Sequence, residues 1–297
     1  MKYDLIITTT WIKCRLEKKH NYEERYFTIE NLFKILQKSY IKILCVLFTN
    51  DEEKMNELIN KTNVKSVIIR KIDLEELYSN KYLDYFEWAL DIIPKNSLYK
   101  ANRIVNSDIL RVWHNKLCFY NNVCNEYKGK SKFYAWMDVG MFYDADNIIT
   151  FDIKNVPKNN KILINHIDRL FVHKTPSTFG ISANFMITPN PELVIKFSSL
   201  YYGLLDMVVE NRVVIKDNPT EEPILDLCVN LNPKLYLINN EPNWLWFYDY
   251  ILKCHETKII PASSMIDNCF KKENNEFDFR MFYKLYTQYI RVEYPIK

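Results

Sequence analysis

Apolar and polar positions follow two rhythms along the first half of the chain. Short β-branched runs, Tyr3 to Thr10, Ile41 to Phe48 and Val64 to Ile69, are separated by stretches whose apolar residues recur at helical spacing. Between Tyr26 and Lys38 the positions Phe27, Ile29, Leu32, Phe33, Ile35 and Leu36 predict an amphipathic helix, and Glu52 to Lys61 predicts another. Strands alternating with helices of this length predict parallel βαβ units and an α/β sheet.

A long helix is predicted from Ser107 to Tyr127, capped by Asn106 and Ser107, with Ile109, Leu110, Trp113, Leu117, Tyr120 and Val123 facing the sheet. Past Lys128-Gly129-Lys130, the five consecutive apolar residues Phe133 to Met137 predict a central strand covered on both faces. Further strands are predicted at Lys161 to His166, Ile181 to Thr188 and Leu235 to Ile238. Helices are predicted at Pro191 to Val209 and Glu221 to Val229, the latter capped by Thr220. The aromatic-rich stretch from Phe270 to Tyr294 is helical at best. The organisation expected is one α/β domain over 1–255 and a C-terminal extension, 256–297, packing on it.

Composition narrows the function classes. In 297 residues, 48% are hydrophobic and 15% aromatic, enough apolar surface for a folded core. The formal net charge of +3 gives no electrostatic case for a nucleic-acid partner. No run approaches the roughly 18 apolar residues of a membrane span, and the polar interruption at Asp4 is unlike a signal peptide. A cytoplasmic protein is the expectation. The seven cysteines are scattered without a CxxC pair, which suits reduced core thiols and not zinc. With four glycines there is no GxGxxG and no P-loop; HExxH and GxSxG are absent as well.

The chemistry concentrates after the buried strand. Ligands of open α/β sheets gather at the carboxyl edge of the strands, and Asp138 falls there. A carboxylate in that setting needs a partner or a cation. Mn²⁺ or Mg²⁺ shared with a diphosphate would satisfy it through hard oxygen ligands. Gly140 leaves room for close backbone approach. An ordinary strand-end Asp opening a turn is the alternative reading.

Phe133-Tyr-Ala-Trp-Met-Asp-Val-Gly-Met-Phe142 resembles the WxDxG segment of the HtrL/YibB-like family, which is related to glycosyltransferases of the GT-A type. Val112 to Phe119 is similar to that family's W-x-x-K stretch. Asn106-Ser-Asp-Ile-Leu-Arg111 resembles the SDxxR of DxD-containing sugar transferases, and Thr220-Glu-Glu-Pro-Ile-Leu225 resembles a late acidic segment of both groups. The likeness spans roughly residues 100–240. It departs from the pattern where Gly140 replaces the second carboxylate of DxD, where Asp144-Ala-Asp146 follows six residues later, and where Phe179 to Asn184 stands for a glycine-rich loop.

The resemblance implies a GT-A-like fold, a mostly parallel central sheet flanked by helices, and divalent-metal-dependent transfer of a hexose from a UDP- or GDP-linked donor to a glycan or protein acceptor. It implies Asp138 as metal ligand, with Asp144, Asp146, Gly140 and His255 as possible additions. Thr8, Thr9, Thr10 and Lys116 would lie at the nucleotide, Asp108 and Arg111 at the donor sugar, and Glu222 or Glu221 would serve as base or acceptor contact. Each has a plainer counterpart. Asp108 and Arg111, at i and i+3, would form a surface ion pair contributing about 0.3 kcal/mol; the two glutamates suit any helix N-terminus; Lys116 would be a solvated helix lysine. An inactive GT-A-like binding protein, or another metal-dependent phosphoryl-group enzyme using Asp138 with Asp144 and Asp146, are the competing functions.

Overall fold

The computed structural model describes residues 1–14, 26–94, 105–142, 148–168, 179–215, 218–239 and 248–254. Tyr3–Trp11 (β1), Ile43–Thr49 (β2), Val67–Lys71 (β3), Ser131–Met137 (β4), Ile162–Asp168 (β6), Phe179–Thr188 (β7) and Tyr236–Asn239 (β8) form a seven-stranded sheet in the order β3-β2-β1-β4-β7-β6-β8. Ile148–Phe151 (β5) pairs with Leu252–Cys254 (β9) in a small separate sheet. The molecule is a mixed α/β protein whose central sheet is flanked by helices, as the alternating pattern predicts.

Alternation along the strands sorts the side chains between two layers. Leu5, Ile7, Ala135 and Met137 pack with Tyr26–Gln37 (α1) and Glu52–Thr62 (α2) through Ile29, Leu32, Phe33, Met55 and Leu58. Ile6, Tyr134 and Trp136 face the other way. They pack with Leu83–Ile92 (α3), Ser107–His114 (α4), Lys116–Glu126 (α5), Pro191–Glu210 (α6) and Glu222–Leu231 (α7). Tyr134 and Trp136 are almost wholly buried, and each such aromatic contributes about 1.5–3 kcal/mol by leaving water.

This division has a topological consequence. The helices joining β1 to β2 and β2 to β3 lie on one face, and those returning from β3 to β4 lie on the other. β1 and β4 are neighbours in parallel register, Thr8 opposite Trp136, so the connections leave this pair toward opposite faces. The crevice of a doubly wound sheet opens at such a switch, beyond the carboxyl ends of the strands.

Two sequence expectations need correction. The single helix over Ser107 to Tyr127 is two, broken at Asn115, whose buried Oδ1 accepts from the Ser79 backbone N–H at 3.2 Å. The third strand starts at Val67 instead of Val64, where pairing with Cys45 to Thr49 begins. The sheet is mostly parallel, as expected: the pairings from β3 to β4 and the β6–β8 pairing are parallel, and β7 runs antiparallel to both β4 and β6. α3, β5 and β9 were not predicted. The expected extension over 256–297 lies outside the described residues.

Candidate functional site

The site is built at the end of β4. Trp136 and Asp138, two residues apart, share a side of the strand, and the indole Nε1–H donates to Asp138 Oδ1 at 3.0 Å. The Asp138 backbone N–H donates to the carbonyl of Asn184 in β7 at 2.8 Å, and the chain then coils through one short turn, Val139–Phe142. From the neighbouring strand, Thr9 Oγ1 donates to the Met137 carbonyl at 2.6 Å. Asp138 is thereby fixed just beyond the carboxyl end of β4, at the topological switch, with 31% of its side chain exposed.

The break at Asn115 makes Lys116 the first residue of α5. A lysine at a helix N-terminus opposes the helix dipole, and this one is only 7% exposed. Two carboxylates compensate it. Its Nζ donates to Asp138 Oδ2 at 2.9 Å and to Glu221 Oε1 at 2.8 Å. Glu221 immediately precedes α7 and is 6% exposed by side chain. Burial alone would lower the pKa of Lys116, but Asp138 and Glu221 more than offset it and push it up to about 12. Burial raises the pKa of Asp138, and the Glu221 charge adds to that, against the opposing pull of Lys116 and the Trp136 indole. Glu221 Oε2 is buried without a hydrogen-bond partner, as are the hydroxyls of Thr8 and Thr220.

The residue on the other side of the break serves the same segment. His114 Nε2 lies 2.9 Å from the Pro219 carbonyl and Nδ1 lies 2.7 Å from Tyr201 Oη. The ring stacks on Phe86 at 4.7 Å, and burial lowers its pKa. His114 and Lys116 thus fasten residues 219 and 221, which fixes where Glu221 points. The Tyr202 hydroxyl completes the anchorage by donating to the His114 carbonyl at 2.9 Å.

Of the residues that the sequence singles out, the structure brings Lys116, Asp138 and Glu221 into contact and sets Thr8 and Thr9, both buried, and Thr10, half-buried, on the adjacent strand. Glu222, the first residue of α7, is partly exposed, and it is Glu221 that meets Lys116. Lys116 is no solvated helix lysine. Asp108 and Arg111 do pair, at 2.5 Å, but not on the surface: they are 0% and 4% exposed. Arg111 also donates to Asn80 Oδ1 at 2.8 Å and to the Leu74 carbonyl, tying α4 to the segment 74–82, while its Nε is left without a partner. Gly140 is exposed, and a methyl group there would meet open space. Asp144, Asp146 and His255 lie outside the described residues. The cysteines at 14, 45, 118, 124 and 228 are free thiols, as expected. His114, Asn115 and Tyr201 carry no sequence signal of a site; the Trp-x-Asp spacing at 136 and 138, which puts both side chains on one side of a strand, is the one available cue.

The described residues do not fit a bound Mn²⁺ or Mg²⁺. No three of their His, Cys, Asp and Glu side chains cluster to hold a metal, and each Asp138 oxygen already accepts, one from the indole and one from the ammonium. A divalent ion on Oδ2 would stand beside the Lys116 charge.

No protein-family model and no curated protein sequence matches the chain. Among solved structures, the fold is similar to mouse xyloside xylosyltransferase 1 in its apo form, with TM-score 0.44 and 13% identity over 80% of this chain and 84% of that one. It is similar to the galactosyltransferase LgtC in complex with donor and acceptor sugar analogues, with TM-score 0.42 and 7% identity over 99% and 84% of the two chains. It is also similar to the glycosyltransferase GlyE of Streptococcus pneumoniae TIGR4, with TM-score 0.37 and 11% identity over 80% and 45%. Among the described residues, no helix is long and apolar enough to cross a membrane.

Proposed function

We propose that the chain is a glycosyltransferase that moves a hexose from a UDP- or GDP-linked donor to a hydroxyl of a glycan or protein acceptor. The observation that carries this reading is the Asp138–Lys116–Glu221 ion triad beyond the carboxyl end of β4, buried at Lys116 and Glu221 and partly exposed at Asp138. Two carboxylates and one ammonium sum to a single negative charge. Such a group suits a neutral, hydroxyl-rich ring better than a phosphate. Sugar hydroxyls donate to the exposed part of Asp138, while Glu221, buried behind it, holds Lys116 in place.

In this reading Thr10 and the Asp138–Gly140 turn border the nucleotide, with Thr8 and Thr9 buried behind them, and the triad orients the sugar. Glu221, held by Lys116 and by the clasp on Pro219, fixes the ammonium that orients Asp138, the carboxylate an acceptor hydroxyl can approach within about 3 Å for proton removal. Nucleotide leaves as the anomeric carbon bonds to the acceptor oxygen. The sequence likeness around Trp136, Asp138 and Gly140 supports the same class of reaction.

The test is nucleotide release from a panel of UDP- and GDP-hexoses, with glycan and peptide acceptors, alongside thermal shift with each donor. Release from at least one donor, reduced about 10–100-fold in Asp138→Asn and in Glu221→Gln, is the expected result. Neither release nor stabilisation by any donor would overturn the proposal.

A further inference from the structure

Lys116 occupies the place between Asp138 and Glu221 that a bound cation would take. Its ammonium is 2.9 Å from one carboxylate and 2.8 Å from the other, and the side chain is almost sealed from solvent. The Trp113 ring flanks it at 5.9 Å. We infer that Lys116 is the resident cation of this carboxylate pair, that it keeps divalent ions out of the native site, and that removing its charge turns the pair into a site for Mn²⁺ or Mg²⁺.

Charge balance is the first argument. With Lys116 in place the triad carries one net negative charge, and a divalent ion would have to share an oxygen with an ammonium in a poorly solvated setting, where like charges repel strongly. With the ammonium gone, two carboxylates and one divalent ion balance to zero. Donor chemistry is the second. Both ligands are hard oxygens, which Mn²⁺ and Mg²⁺ accept, and Mg²⁺ sites commonly use one or two carboxylates with water completing the shell. Glu221 Oε2, buried and unpartnered, is a ligand atom already stripped of competing donors. Access is the third: Asp138, 31% exposed, gives an ion a path inward.

The inference concerns the site of the proposed transfer, but it is read on ligand-free protein, so its outcome and that of the donor screen are independent. Mn²⁺ is titrated into wild type, Asp138→Asn, Lys116→Met and Lys116→Met/Asp138→Asn, following the free-ion signal by electron paramagnetic resonance and the Tm in parallel. Wild type and Asp138→Asn should behave alike. Lys116→Met should be destabilised without metal, take up Mn²⁺, and gain about 3 °C or more in Tm at saturation. Adding Asp138→Asn should weaken that uptake by about tenfold or more. Should Lys116→Met not fold, Lys116→Gln carries the same test, and Lys116→Arg should remain indifferent to Mn²⁺. Mn²⁺ uptake by wild type that Asp138→Asn removes would overturn the inference, and so would a neutral variant at 116 that folds and gains no affinity.

Discussion

Tyr201 Oη lies 2.7 Å from Nδ1 of His114, and the Pro219 carbonyl lies 2.9 Å from Nε2. A carbonyl only accepts, so Nε2 carries the proton and Nδ1 accepts from the phenol. This tautomer is the neutral imidazole, and its burial depresses the pKa of His114. The unfolded chain therefore binds a proton that the folded one does not, once the pH falls below the ordinary histidine value of about 6.5. Stability contributed by His114 is complete above that value and is lost as the pH drops toward the depressed folded value. Urea midpoints should decline between pH 7.5 and 5.5, and His114→Gln should flatten that decline while costing about 1–3 kcal/mol at pH 7.5.

Glu221 and Glu222 are adjacent and chemically identical, yet only Glu221 bonds Lys116. Glu221→Ala leaves a buried ammonium with one carboxylate instead of two, a change that should cost about 3–5 kcal/mol. Glu222→Ala, at a partly exposed position in the first turn of α7, should cost about 1 kcal/mol or less. Thermal unfolding of the two variants side by side checks the ranking, and a larger loss for Glu222→Ala would refute it.

Trp136→Phe deletes the donor to Asp138 Oδ1 and leaves a void where the wholly buried indole packed. The expected loss is about 2–4 kcal/mol, most of it from the cavity, because the exposed part of the carboxylate can recruit water. Since the indole helps hold the Asp138 pKa down against burial, its removal should move that pKa further up, which carboxyl-selective NMR titration would report.

Gly140 and Gly129 should respond unequally to alanine. A methyl group at Gly140 meets nothing within 4 Å, and its φ is not positive, so Gly140→Ala should change stability by no more than about 0.5 kcal/mol. Gly129 closes the turn before β4 with φ +72°, where a Cβ costs about 1–2 kcal/mol. Equilibrium unfolding of both variants measures the contrast.

The first half of the fold was legible because its helices and strands obey their own periods: Ile29, Leu32, Phe33 and Leu36 sit on the face of α1 that the spacing assigned to the core. Leu83–Ile92 was missed because it opens without a capping side chain, although Asp84, Glu87 and Asp91 mark out its exposed face. The break at Asn115 depends on a backbone N–H from Ser79, 36 residues earlier, so no local pattern announces it. The site was half legible. Asp138 stands out as a charge after the most apolar strand, but Lys116 read as a surface lysine because the carboxylates that bury it come from 22 and 105 residues downstream. Arg111 misled for the same reason, since Asn80 and the Leu74 carbonyl are what draw it inward.

The two bonds that fasten the segment before α7, His114 to Pro219 and Lys116 to Glu221, each span 105 residues. Closing so long a span is slow and entropically costly, and the second bond can follow the first at almost no added cost because the chain between is already closed. During synthesis the crevice between β1 and β4 has all its strands well before the ribosome delivers its last carboxylate. The half-made pocket must wait, with one lysine and one aspartate facing each other, until residue 221 arrives to finish it.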